Sequence, residues 1–262
     1  MMRAPQEGVR RTTARFRFYG QLNDFMPPAR KGKFFSHTVK GGPSVKDTVE
    51  ALGVPHTEID ALFAGDKNIR FSYQLKDGEK ITAFPPRYPI RSSRRRHLIP
   101  KTPKRCRFVV DSHLGRLVRH LRLLGFDSVY RKIFPDAEIV KISVVQNRIV
   151  LTRDIGLLKN GAVKRGYWVR HADAGRQIKE VIRRYDLIPG FKPFTRCLQC
   201  NGLIGPVPKE RITQRLPEQV RLYYNSFYRC RSCRKIYWQG SHCDKLVRLV
   251  SRLKKMPGPS GK

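Results

Sequence analysis

Acidic residues are scarce in this chain. Among its 262 residues, Asp and Glu number 20 against 55 Lys and Arg, a formal net charge of +35. An excess of that size goes beyond what solubility requires and points to a polyanionic partner, nucleic acid first. Long apolar runs are missing as well. No segment approaches the roughly 20 residues that span a bilayer, and no signal-peptide core stands near the start, so no membrane partner is expected and the expected location is cytoplasmic. Cysteine is sparse: of six, four stand in two Cys-x-x-Cys pairs, which in that compartment argues for metal ligands rather than disulfides. The length allows two or three domains.

In chain order, residues 1–13 read as a basic tail. Alternation of Phe16 and Phe18 with Arg15, Arg17 and Tyr19 predicts a half-buried strand from Ala14, and a second strand is expected at Phe34 to Val39. Ser44-Val45-Lys46-Asp47 has the form of a capping box before a short helix ending at Gly53. Short strands are expected at Ala61 to Ala64, Ile69 to Tyr73 and Lys80 to Phe84, the last after the turn Lys76-Asp77-Gly78-Glu79. Residues 87–105, rich in proline and containing Arg94-Arg95-Arg96, read as a basic linker between a first domain (14–86) and a second (106–190).

In the second domain, Arg107-Phe108-Val109-Val110-Asp111 and Arg148-Ile149-Val150-Leu151-Thr152-Arg153-Asp154 are β-branched runs leading to an aspartate. Such runs suit strands buried on both faces of a parallel sheet, and ligands gather at the carboxyl ends of these strands. Two carboxylates at one sheet edge repel unless a cation lies between them, and a hard divalent ion is the natural occupant. Helices are expected from Leu114 to Gly125, from Pro135 to about Asn147, from Ile155 to Lys159 and from Ala174 to Arg184, with further strands at Phe126 to Tyr130 and Tyr167 to Val169. That alternation implies a three-layer α/β sandwich around a parallel sheet.

Two resemblances follow. The stretches Gly41-Gly42-Pro43-Ser44-Val45-Lys46-Asp47 and Leu75-Lys76-Asp77-Gly78-Glu79, in their strand and helix order, resemble the ubiquitin-like β-grasp of small sulfur-carrier proteins. The Gly-Gly tail of those carriers is replaced by Phe84-Pro85-Pro86-Arg87, so a stabilising or docking appendage is expected instead, a surface for a ribosome or protein partner. Val110 to Leu117, Leu121 to Asp127, Leu151 to Asp154 and Gly240-Ser241-His242 resemble the PIN-like ribonuclease family named after the C-terminal domain of the exonuclease mut-seven. Many members place a β-grasp domain before the PIN-like domain and a zinc ribbon after it, and this chain carries the three in that order. The resemblance implies that Asp111, Asp136 and Asp154 are the catalytic acids, with Glu138 as an alternative at the middle position and Asp173 as a fourth acid.

For that chemistry, one or two Mg²⁺ or Mn²⁺ ions neutralise the transferring phosphoryl group and lower the pKa of the attacking water. His113, Arg116, Arg119 and Arg153 stand near the acids in sequence and could clamp phosphate. The competing reading is that Asp136 and Asp154 merely cap helices.

Cys197, Cys200, Cys230 and Cys233 then define a ribbon (191–250) with a structural Zn²⁺, followed by a basic tail (251–262). Tyr223, Tyr224, Phe227, Tyr228, Tyr237 and Trp238, interleaved with basic residues, could stack on bases, about half of them packing the ribbon's core instead. The expected function is a metal-dependent ribonuclease with RNA as its partner. The alternative is a non-catalytic RNA- or ribosome-binding protein that keeps the fold as a scaffold.

Overall fold

The computed structural model describes residues 11–90 and 96–257. Residues 1–10 and 258–262 of the two tails, and Arg94 and Arg95 of the arginine run, lie outside the described residues. The elements in order are β1 (Arg11–Phe18), β2 (Phe35–Lys40), α1 (Val45–Ala51), β3 (Ala61–Ala64), β4 (Lys67–Ile69), β5 (Lys80–Phe84), β6 (Arg107–Val110), α2 (Gly115–Leu123), β7 (Asp127–Val129), α3 (Asp136–Val145), β8 (Ile149–Thr152), α4 (Ile155–Lys159), β9 (Gly166–Trp168), α5 (Ala174–Tyr185), β10 (Ile204–Pro206), α6 (Glu218–Tyr223), β11 (Phe227–Cys230), β12 (Ile236–Trp238) and α7 (Ser241–Lys254). Among the described residues, contacts divide the chain into two compact units, residues 11–90 and 96–101 together with Asp154–Trp168, and Thr102–Arg153 together with residues 169–257. Among the described residues no helix is long and apolar enough to cross a membrane.

The first unit is built on a five-stranded sheet of order β2-β1-β5-β3-β4, in which β1 pairs antiparallel with β2 and parallel with β5. Thr12, Ala14, Phe16 and Phe18 alternate inward along β1. The core they enter includes Val45 and Val49 of α1, Leu22, Leu62 and Ile81. The capping box forms, Ser44 Oγ accepting from the Asp47 amide at 3.2 Å and Asp47 Oδ2 from the Ser44 amide at 3.3 Å. Such a cap contributes about 1 kcal/mol.

Three sequence expectations are corrected. The N-terminal tail does not extend to residue 13, since Arg11, Thr12 and Thr13 already pair with Lys40, Val39 and Thr38. The strand expected at Ile69 to Tyr73 is instead Lys67–Ile69. The reason is a competing use of backbone acceptors: the carbonyls of Tyr73 and Phe71 accept from the amides of Val45 and Lys46, at 2.8 and 3.2 Å, satisfying the first turn of α1. The third correction lies at the other end, where residues 251–254 belong to α7 rather than to a tail, with Val250 and Leu253 buried.

In the second unit β6 pairs in parallel with both β7 and β8. Phe108, Val109, Val110 and all of Ile149–Thr152 are buried, as strands covered on both faces require. The step from β6 to β7 runs one way across the sheet, and the step from β7 to β8 returns past β6. Right-handed crossovers therefore place α2 and α3 on opposite faces. With α5 packed on α2, three layers result. Gly125 ends α2 at φ +92°, where a Cβ would lie 2.2 Å from the Lys192 carbonyl oxygen, so only glycine admits the returning chain. Lys192 and Phe194 donate backbone bonds there to Leu124 and Leu123, at 2.9 and 3.0 Å.

A three-stranded antiparallel ribbon, β10-β11-β12, follows, with a small core of Val207, Ile212, Leu216 and Phe227. It is fastened to the sheet through Asp127. Arg148, almost fully buried, grips that carboxylate with two bonds of 2.8 and 3.1 Å, and Asn201 Nδ2 donates a third at 2.7 Å while its own carbonyl oxygen accepts from the Ser128 amide. Burial works against ionisation of Asp127, but the bonds from Arg148 and Asn201 outweigh it and hold the carboxyl below its ordinary value.

A depressed carboxyl pKa stabilises the fold fully above the unfolded value near 4, and that stabilisation is lost as pH falls through the folded value. Asp127→Asn should therefore cost about 3 kcal/mol at neutral pH, since it leaves the Arg148 cation buried and unpaired. Denaturant titrations at pH 7 and pH 3 should show the gap between wild type and variant shrinking in acid; an unchanged gap would contradict the ion-pair account.

Candidate functional site

The four cysteines Cys197, Cys200, Cys230 and Cys233 place their sulfurs within 4.8 Å of one another. Cys197 and Cys233 are 3.6 Å apart and Cys200 and Cys230 3.4 Å, close to the roughly 3.8 Å edge of a tetrahedron with 2.3 Å zinc–sulfur bonds and far beyond a disulfide. Each pair sits on a tight turn that ends in a left-handed residue, Asn201 at φ 72° and Arg234 at φ 63°. The amides of Asn201 and Arg234 close those turns onto the carbonyls of Cys197 and Cys230. Soft thiolates in this arrangement suit a metal such as zinc. Cys106 and Cys243 lie outside the cluster.

Tyr237 tunes the centre. Its hydroxyl oxygen accepts from the Leu198 amide at 3.2 Å, which leaves its proton directed at Cys197 Sγ, 3.0 Å away. Burial alone would raise the Cys197 thiol, but the Tyr237 hydroxyl and the amides of Cys200 and Gln199 bring it down to about 6. Burial and that same bond push the Tyr237 phenol up.

The acids singled out in the sequence lie at element ends. Asp111 follows β6 and is buried; its Oδ2 accepts from the Thr152 hydroxyl at 2.7 Å and its Oδ1 from the Ser112 hydroxyl at 3.1 Å. No ion pair neutralises it among the described residues. Asp136 is exposed at the first position of α3. Glu138 pairs with Arg131. Asp154 and Asp173 are exposed and cap α4 and α5, accepting from the Gly156 amide at 2.6 Å and the Arg176 amide at 2.9 Å. Among the described residues no set of three carboxylates is drawn together as the four sulfurs are.

The basic candidates converge more clearly. His113, Arg116 and Arg119 line a cleft of about 780 Å³ between α2, the start of α5 and the knuckles, with Tyr130, Lys235 and Tyr237 on its other walls. No carboxylate lines it. Arg122 also reaches the cleft, but it is buried and donates to the carbonyls of Ser128, Leu198 and Gln199, so it serves the knuckle's placement. Arg153 donates to the carbonyls of Arg170 and His171, at 3.3 and 2.6 Å, and lies outside the lining. Of the ribbon aromatics, Phe227 is core, Tyr224 and Trp238 pack on it, and Tyr223 and Tyr228 are exposed. The use of Arg122 and the Tyr237–sulfur bond escape sequence reasoning, because nothing in local spacing joins α2 to a knuckle far along the chain.

Protein purified under reducing conditions should carry one zinc ion per chain. Cys200→Ser should release it and also loosen α2, because Arg122 loses ordered acceptors in the knuckle. Metal analysis with amide exchange checks this; zinc-free wild-type protein would refute it.

Profiles of two families match the chain: the Mut7-C RNAse domain over residues 106–250 and the Mut7-C ubiquitin domain over residues 11–91. No curated protein and no solved structure matches it. With the first match covering more than half of the chain and the second lying before it, the protein belongs to the Mut7-C RNAse family and carries that family's ubiquitin-like domain.

Proposed function

We propose that the protein is a metal-dependent ribonuclease that holds single RNA strands in the cleft beside the knuckles and hydrolyses them at Asp111. The cleft is the observation that carries this reading. Its exposed guanidinium groups, Arg116 and Arg119, make no ion pair among the described residues, and a wall of cations without carboxylates favours a phosphate chain. The lining of the cleft begins at His113, two residues past Asp111 in the chain, and that adjacency supports hydrolysis at Asp111.

Asp111 fits a hard cation. It is a buried anion whose oxygens accept only from hydroxyls, an arrangement costly by itself and relieved by a metal ion. Asp136, with Glu138 as the alternative, and Asp154, two residues past the Thr152 that bonds Asp111, would supply the other carboxylates, and Asp173 is the candidate fourth acid. Mg²⁺ or Mn²⁺ held there would neutralise the transferring phosphoryl group and lower the pKa of the attacking water. Thr152 fixes the Asp111 carboxylate, His113, Arg116 and Arg119 orient the phosphate, and Zn²⁺ on the four cysteines has a structural role, keeping the cleft wall in place.

A non-catalytic RNA- or ribosome-binding role is the second reading. It is favoured by the capping bonds of Asp154 and Asp173, which give both residues a structural use.

Asp111→Asn preserves shape and removes a negative ligand, so Mn²⁺-dependent cleavage of mixed RNA should fall by roughly 100-fold or more while RNA binding survives. EDTA should abolish cleavage by the wild type. Cleavage by Asp111→Asn at the wild-type rate would sink the assignment.

Replacing both Arg116 and Arg119 by Ala should weaken RNA binding uniformly across sequences and reduce the slope of log affinity against log salt by about 2. An unchanged slope would mean that the phosphates lie elsewhere.

A further inference from the structure

The segment Asp154–Trp168 falls inside the stretch matched as the RNAse domain, yet its contacts group it with the N-terminal unit. We propose that the ubiquitin-like domain is the positioning element for Asp154, with Glu58 and His56 fixing the segment that carries it. The inference rests on the function proposed above and assigns that domain its role within it.

The grip is specific. A 3-10 turn at His56–Glu58, which follows Pro55, is buried, Glu58 to 1% exposure. Glu58 Oε1 accepts from the backbone amide of Trp168 at 2.8 Å. His56 Nε2 meets the carbonyl oxygen of Val163 at 3.0 Å, while its Nδ1 is held by Glu50 at 2.6 Å. The Phe25 and Trp168 rings pack with centroids 4.8 Å apart.

The segment is shaped to be held. Leu157, Leu158, Val163 and Tyr167 are buried, and Gly166 lets β9 approach α4 where a Cβ would stand 2.4 Å from Leu158 Cδ2. α4 spans only Ile155–Lys159, too short to persist without packing, and Asp154 is its cap. The orientation of the Asp154 carboxylate therefore depends on what holds α4 and β9. Glu58 sets a buried carboxylate on a backbone amide of the segment, and a directional hydrogen bond fixes orientation where an apolar contact would fix only proximity.

The test compares full-length wild type with Glu58→Ala and, from the other side of the contact, Gly166→Ala. Both should lower kcat for RNA cleavage at least tenfold, leave KM for RNA unchanged, and speed amide exchange over residues 156–168 while β1 and β5 stay protected. Wild-type kcat in variants whose 156–168 amides have lost protection would overturn the inference, and so would loss of protection spreading through β1 and β5. A wild type that cleaves no RNA with Mn²⁺ would overturn the nuclease reading first, a result distinguishable because it appears before any substitution.

Discussion

A carboxylate partly withdrawn from water draws its donors largely from the protein, and half-buried Asp127 does so from three directions. Arg148 comes from the turn before β8, Asn201 from the first knuckle, and Arg196 stands 3.8 Å away. This group joins two strands of the parallel sheet to the ribbon that carries the four clustered cysteines. The placement of the cleft depends on it, since one wall is α2 and another is the knuckle that Asn201 and Arg122 hold. A buried ion pair often contributes little net stability against an apolar substitute, but it fixes a unique arrangement, and here the arrangement brings the knuckle to α2.

The charge distribution has a corresponding logic. Lys and Arg so outnumber acids that most cations can find no partner within the fold. Carboxylates withdrawn from the surface are used for placement: half-buried Asp127 for the ribbon, buried Glu58 for the chain at Trp168 and buried Asp60 for His97. Asp111 stands apart, buried and bonded only by hydroxyls. The cleft holds two guanidinium groups, Arg116 and Arg119, that make no ion pair among the described residues, and its His113 lies two residues past that aspartate in sequence.

The sequence by itself determined the order of elements as far as α5 and the pairing of the clustered cysteines in two knuckles. Alternation along β1, β-branched runs at β6 and β8, the Ser44 capping box and the Cys-x-x-Cys spacings are local signals, and local hydrogen bonding and burial enforce them. It also placed Asp111 and Asp154 at strand ends, though it could not separate capping from ligation, because an Asp at such a position serves either. Helix α7 carries Leu246, Val250 and Leu253 at helical spacing, a pattern that the expected division into a ribbon to 250 and a basic tail overlooked.

Only the tertiary structure decided which distant residues meet. Tyr73 and Phe71 leave the strand pattern because α1 needs their carbonyls. Arg122 turns inward from the basic helix because the carbonyls of Ser128 in β7 and of Leu198 and Gln199 in the knuckle accept from it. Glu58 reaches the amide of Trp168, more than a hundred residues away, by a bond to backbone, and a backbone amide has the same chemistry at every non-proline residue. Such a contact leaves no mark in the sequence: it depends on the shape of the chain at both ends, and that shape exists only once the two segments have packed.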